Sequence, residues 1–316
     1  ANALRRYVPR ALTAALVGMT LKTLALFYLF SHLPNGFWLN TLYVWVRRTG
    51  VGELTHALAG TNAWRIFFQS HIYLLPVIIG GCWYAICQPA LSRKTWTLWI
   101  LASAAFIVSL SRSLWMGLVV GLISTGLLVG AHDHRPSYGG IRRMIMAMMV
   151  SLALVFALFY APPRPSGSLT NFFAARTDLS GAAVVSRWTL LPALWEGIKQ
   201  HPLLGAGFGA TITYASHDPR VVATTGGVYT TYAFEWGWLD HWFKFGLLGI
   251  PLMSWIVIRL LLCATRSSRT FWIRGTLMTS LIALAVIHMF TPYLNHPLGI
   301  VWLIGLEAWL STERPT

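Results

Sequence analysis

Charge is what this chain has least of: Asp, Glu, Lys and Arg make up 10% of its 316 residues, and only nine of them are acidic. About a quarter of a soluble domain is charged, so that class is excluded. Carboxylates this sparse form no D-x-D or clustered pattern in the loops, which removes the usual seat for Mg²⁺ or Mn²⁺. We therefore expect neither a metal nor another cofactor. Cysteine is almost as rare. Cys82, Cys87 and Cys263 lie in or beside apolar runs without metal-ligand spacing, which excludes a disulfide framework or zinc site and leaves them as small buried hydrophobes. Alternating strand patterns are also missing, so an outer-membrane barrel is excluded.

Apolar residues are abundant, at 56% of the chain, with a mean hydropathy of +0.59. That is the mix of a polytopic membrane protein. A span needs about 20 mostly apolar residues, and eight segments qualify, near 11–31, 70–88, 95–111, 114–131, 143–161, 243–263, 275–293 and 297–312. The expected fold is an all-α transmembrane bundle of about eight spans with a long external loop holding short amphipathic helices. The expected parts are an N-terminal bundle (1–161), an external catalytic loop (162–242) and C-terminal transmembrane helices (243–316). Position 1 is Ala and the first segment already carries flanking arginines, so neither an initiator Met nor a cleavable signal is read there and the natural chain is expected to begin upstream. The formal charge of +15 is spread over loops between spans, so membrane lipid and topology explain it better than nucleic acid.

Lys and Arg cluster at Arg5/Arg6/Arg10, Arg93/Lys94, Arg135/Arg142/Arg143 and Arg266/Arg269/Arg274. The positive-inside rule makes those segments cytoplasmic and puts 32–69 and 162–242 outside. The outer side should then be poor in cations, yet it carries Arg47, Arg48, Arg65, Arg112, Arg164, Arg176, Arg187, Lys199, Arg220 and Lys244. Retained there, cations point to an anionic ligand, and a diphosphate fits. Arg164, Arg176 and Arg220 read as solvated or headgroup-bound.

Arg112 stands in VSLSRSLWMGLVVGL, between apolar stretches too close together for a real loop. A charge there faces protein or a polar cavity, or snorkels to the outer interface. Its planar fork suits phosphate oxygens. Arg187 opens RWTLLPALWEGIK, whose Leu190, Leu191, Leu194 and Ile198 share one side, as in an amphipathic helix on the membrane surface. In HPLLGAGFG the glycine-region amides either cradle a phosphate or form a tight turn back to the membrane, and His201 caps or packs that turn. The stretch FEWGWLDHWFKFGLLGIP then presses Glu235, Asp240, His241 and Lys244 against the start of a span, where ionisable groups carry a desolvation cost. On a helix, Glu235, Leu239 and Trp242 share a face and His241 lies roughly 240° around from Glu235.

The order SRS, SRW, HPLLGAGFG, then FGLLGIP, resembles the O-antigen ligase and polysaccharide polymerase superfamily, over roughly residues 100–265. The resemblance implies a membrane glycosyltransferase acting on undecaprenyl-diphosphate-linked glycans, metal-independent, in the bacterial cytoplasmic membrane with its active site on the external face. It implies that Arg112 and Arg187 contact the carrier diphosphate, with Arg65 as a further anion contact. The family's catalytic histidine falls about eleven residues before the first Gly of GLLG, and counting back from Gly246 reaches Glu235. This chain departs from the pattern at that position.

Glu235 either replaces the histidine as general base or pairs with Lys244 or an arginine for structure, and His241 is the alternative base. Asp240 orients His241 or contacts sugar hydroxyls. Tyr229, Tyr232 and Trp238 are sugar-contact candidates, although interfacial aromatics are common. The absence of a second carboxylate suited to a glycosyl-enzyme intermediate implies inversion. The acceptor, whether glycan, lipid-A core or protein, is not readable, so ligase and polymerase stay unseparated. A transporter or flippase of an anionic lipid-linked glycan would also want cavity arginines, but no internal repeat or paired broken helices mark the sequence.

Overall fold

A computed structural model of the chain describes residues 2–34, 36–49, 52–56, 64–132, 138–162, 182–217 and 219–311. Arg135, Arg164 and Arg176, and the side chains of Arg5, Arg6 and Arg220, lie outside the described residues. The fold is all-α, with two small hairpins. Its contacts cluster into two units, Ala1–Leu118 with Leu122–Thr177 and Phe271–Thr276, and Val119–Gly121 with Asp178–Thr270 and Leu277–Thr316.

The first unit contains α1 (Asn2–His32), α2 (Phe37–Arg48), α3 (Leu74–Cys87), α4 (Arg93–Ser109), α5 (Arg112–Ala131) and α6 (Tyr138–Tyr160). Strands β1 (Gly52–His56) and β2 (Trp64–Phe68) pair antiparallel, with Glu53 opposite Phe67 and Thr55 opposite Arg65. Phe27 and Phe30 of α1, Leu54 and Ile66 of the hairpin and Val155 and Phe159 of α6 share one core. Gly81 of α3 lies flat against the Trp99 ring, the small-residue contact that lets membrane helices approach closely. Ser92 caps α4, its side chain accepting from Thr95 N–H at 3.1 Å. At the other end Leu110 takes a left-handed conformation (φ 43°), which turns the chain sharply into α5.

The two ends of this unit carry different cations. At the end of α3, Arg143 donates to the carbonyls of Ala85, Gln88 and Pro89 at 2.6 to 2.9 Å, satisfying acceptors a helix C-terminus leaves open. Arg65 and Arg112 sit at the opposite end of α4 from Arg93.

The second unit holds α7 (Ala182–Gln200), β3 (Ile212–Ala215), α8 (Pro219–Thr225), β4 (Val228–Thr231), α9 (Gly237–Phe245), α10 (Gly249–Thr265), the later turns of α11 (Phe271–Phe290), and α12 (Pro297–Ser311). Leu190, Leu194 and Ile198 are buried against Ile212, Phe234 and Phe243, each side chain contributing about 1.5–3 kcal/mol by burial. Leu191 of the predicted stripe is only partly buried. The predicted run 243–263 is interrupted: α9 ends at Phe245, Gly246 takes φ 67° and ψ −165°, and α10 begins at Gly249. The other seven predicted runs overlap α1, α3 with the 3-10 turn Gln69–Tyr73 that leads into it, α4, α5, α6, α11 and α12. Five described helices are long and apolar enough to cross a membrane, Tyr7–His32, Gln69–Cys87, Arg112–Ala131, Tyr138–Tyr160 and Phe271–Phe290, while Gly249–Thr265 and Pro297–Ser311 are shorter apolar helices. The chain is a multi-pass membrane protein.

Candidate active site

Glu235 does not lie on a helix. Trp236 is non-helical at φ −99° and ψ 85°, so α9 starts only at Gly237. The helical-face comparison of Glu235 with His241 therefore fails. What fixes this corner is α7. The Trp236 indole donates to the Arg187 carbonyl at 2.9 Å, and the Trp188 and Trp236 rings meet edge-on at 5.4 Å. The same contact brings Arg187 Nε to 2.5 Å from Glu235 Oε2. Both side chains stay reachable, 27% and 45% exposed. Two residues predicted separately, a diphosphate ligand and a base, are thus bonded partners. Lys244, the alternative partner considered for Glu235, is engaged elsewhere.

Lys244 pairs with Asp240 at 2.7 Å, and both side chains are buried. Asn295 donates to the other Asp240 oxygen. Burial pushes the Asp240 carboxyl above its ordinary value, and the bonds from Lys244 and Asn295 pull against that. Asp240 points into this interior rather than toward solvent. His241 is buried as well, its Nδ1 3.0 Å from the Gly237 carbonyl and 3.1 Å from His288 Nε2. Leu294 N–H donates to His288 Nδ1 at 3.1 Å, which leaves the His288 proton on Nε2, facing His241. Gly237 is needed at this corner because a side chain there would enter the His288 carbonyl and ring.

Burial holds the His241 pKa below the ordinary 6.5, opposed by Gly237 and Asp240 and assisted by Lys244. Because the unfolded chain then binds that proton more readily, His241's contribution to stability is complete above about 6.5 and is lost as pH falls below it. Thermal melts between about pH 8 and about pH 5 should show a decline to which His241 contributes, and His241→Gln should make it shallower.

The glycine-rich segment is occupied by protein. Ala206 N–H donates to the Phe243 carbonyl at 2.7 Å, Gly207 N–H to the Lys244 carbonyl at 3.1 Å, and Leu247 N–H to the Pro202 carbonyl at 2.9 Å. Trp242 adds an indole bond to the Pro202 carbonyl at 3.0 Å. Of the two roles open to HPLLGAGFG, the Ala206 and Gly207 amides serve the turn. Gly205 and Gly246 make the close approach possible, since a Cβ at either would collide with the opposing backbone. Gly246→Ala should cost at least about 1–3 kcal/mol, because its φ and ψ are nearly restricted to glycine. A lowered melting temperature in detergent would register it. His201 is exposed.

Other predicted residues scatter more widely. Tyr229 faces the same side of the β3–β4 hairpin as Tyr214, with rings 5.9 Å apart, and is exposed, as is Tyr232. Trp238 is half-buried, edge-on to His288 at 5.0 Å. In the first unit Arg65 is already held, donating to Glu53 at 3.0 Å and to the Ser109 carbonyl at 3.0 Å. Arg112 opens α5 three residues after Ser109. His288 and Asn295 went unread in the sequence, as did the bond from the Trp236 indole to α7. His288 had a signal, an ionisable residue inside an apolar span.

The O-antigen ligase family model matches residues 97–254, half of the chain. The stretch includes Arg112, Arg187, Glu235 and the Gly246 break, and the chain belongs to that family. It is therefore a membrane protein of the glycan ligase and polymerase type, a class that joins a lipid-linked glycan donor to a glycan acceptor. No curated protein matches the chain.

Proposed function

We propose that this protein transfers a glycan from an undecaprenyl-diphosphate carrier to an acceptor hydroxyl on the external face of a bacterial cytoplasmic membrane, without a metal and with inversion. Glu235 is the general base, and Arg187 grips the diphosphate. The observation that carries this reading is the 2.5 Å bond between Arg187 Nε and Glu235. Among the described residues no other hydrogen bond is made by the Arg187 side chain, so its terminal nitrogens can meet phosphate oxygens while Nε steers the carboxylate.

In the reaction Glu235 takes the acceptor's hydroxyl proton as that oxygen bonds to the anomeric carbon. The bond from that carbon to the phosphate oxygen breaks, and its electron pair leaves on the diphosphate. Arginine stabilises the growing charge, typically the largest catalytic contribution. Arg112 is proposed as a second diphosphate contact on the family resemblance, and Tyr229, Tyr232 and Trp238 as sugar contacts. Arg65 is the weaker assignment because Glu53 already engages it. Asp240 acts by seating α9 through Lys244 and Asn295, and His241 is a buried support.

The test is incubation of purified protein with an undecaprenyl-diphosphate oligosaccharide and acceptor, with EDTA present, following polyprenyl diphosphate release and product length. Release with a ladder of products identifies a polymerase, and single additions identify a ligase. Donor consumed without polyprenyl diphosphate release, or no turnover until a divalent metal is restored, refutes the mechanism.

A further inference from the structure

Backbone docking of 202–207 onto 243–247 has a second effect: it turns two leucine pairs outward together. Leu247 N–H bonds the Pro202 and Leu203 carbonyls, so Leu203, Leu204, Leu247 and Leu248 crowd at one tip, with Leu204 83% and Leu248 69% exposed. Phe208 and Phe245 widen it, their rings 6.0 Å apart and both exposed. An apolar surface of this kind in water marks an interaction site or an aggregation hazard.

Two features say what covers it. From Leu248 the apolar surface continues down α10 through Leu252, Trp255 and Leu262, all exposed and spaced to share one face of that apolar helix. On α7 the exposed Trp188 and Trp195 stand two turns apart on one face, beside the buried Leu190–Leu194–Ile198 stripe. Indoles placed so are what a helix shows to a membrane interface. Lys199, in the last turn of α7, and His201 just after it stand exposed beside the tip, where headgroups would lie.

We propose that the Leu203–Leu204 and Leu247–Leu248 tip is a membrane-inserted anchor, buried in the hydrocarbon of the bilayer. It is the end of a rigid strut. Arg187 lies thirteen residues before the end of α7, so the helix spans about 20 Å between the Arg187–Glu235 pair and the anchor. The anchor thereby limits how far that pair can stand from the lipid surface.

The experiment uses the full chain in phosphatidylethanolamine and phosphatidylglycerol vesicles, with Cys82, Cys87 and Cys263 replaced by alanine. A single environment-sensitive fluorophore is placed through Leu204→Cys or, as the control, Tyr232→Cys. The anchor requires a blue-shifted emission at position 204 that doxyl-labelled lipids quench and aqueous iodide does not, with the opposite behaviour at 232. Iodide quenching at 204 would overturn the proposal. So would protection from both quenchers, which would mean a second copy or another protein covers the tip. Hydroxyl-radical footprinting of the unaltered chain in the same vesicles supplies a measurement free of substitutions: with each residue normalised to its own rate in the denatured chain, Leu203, Leu204 and Phe208 should be protected far more than Tyr232, and equal protection factors refute the anchor. Neither readout involves turnover, so a failure here leaves the glycosyl-transfer reading intact.

Discussion

Glu235→Gln should abolish glycan transfer while the protein stays folded. General base catalysis contributes about 10²–10⁴-fold, and an amide of the same shape cannot accept the acceptor's proton. Stability should barely change. The Arg187–Glu235 pair is 27% and 45% exposed, and exposed ion pairs contribute about 0–1 kcal/mol. Arg187→Ala should show the same pattern, with kcat reduced about 10²–10³-fold as the charge stabiliser is lost, and Arg187→Lys should recover only part because the fork is gone. The measurement is polyprenyl diphosphate release beside a detergent melt. Wild-type turnover in Glu235→Gln, together with a folded but inactive His241→Ala, would transfer the role of base to His241.

Lys244→Met should do the reverse and unfold the protein more than it slows it. Asp240 is 1% exposed and Lys244 6%, so removing the ammonium strands a carboxyl in the interior with only Asn295 to meet it. Breaking a buried pair from one side costs about 3–5 kcal/mol, a large share of a typical domain's stability. The double variant Asp240→Asn/Lys244→Met removes both charges and should recover most of that loss. Lys199→Met is the control, since its bond to Glu196 lies on the surface and contributes little. Denaturant unfolding of the four proteins in one detergent would show whether burial or mere ion pairing is responsible.

The helical bundle was legible because lipid allows long apolar helices and little else. The α7 stripe was legible because its 3.6-residue period survives in sequence. The break at Gly246 was not, since glycine inside an apolar run is common in membrane helices and only the backbone of Leu203 opposite explains it. Neither hairpin was foreseen. Ile212 to Ala215 and Val228 to Thr231 are four-residue strands whose partners lie across a helical connection, with no two-residue turn to announce them. At the site, Arg187 and Glu235 were each visible through motif position, but their meeting spans 48 residues and no local pattern encodes it. Asp240 and Lys244 stand at the i, i+4 spacing that favours pairing on a helix, whereas the sequence offered Glu235 either Lys244 or an arginine, and the structure gives it the arginine.

Where the chain between Pro202 and Gly207 is stitched to the chain between Phe243 and Leu247, the excursion between them is closed at its base. Such a closed excursion can lengthen at small entropic cost, since doubling a loop adds only about 0.6 kcal/mol. Insertions at the Ser216–Gly227 end of the hairpin would leave α7 in register with α9. On the proposed reading, a chain of this family would be free to change its glycan contacts by remodelling that end of the hairpin while Arg187 and Glu235 stay paired.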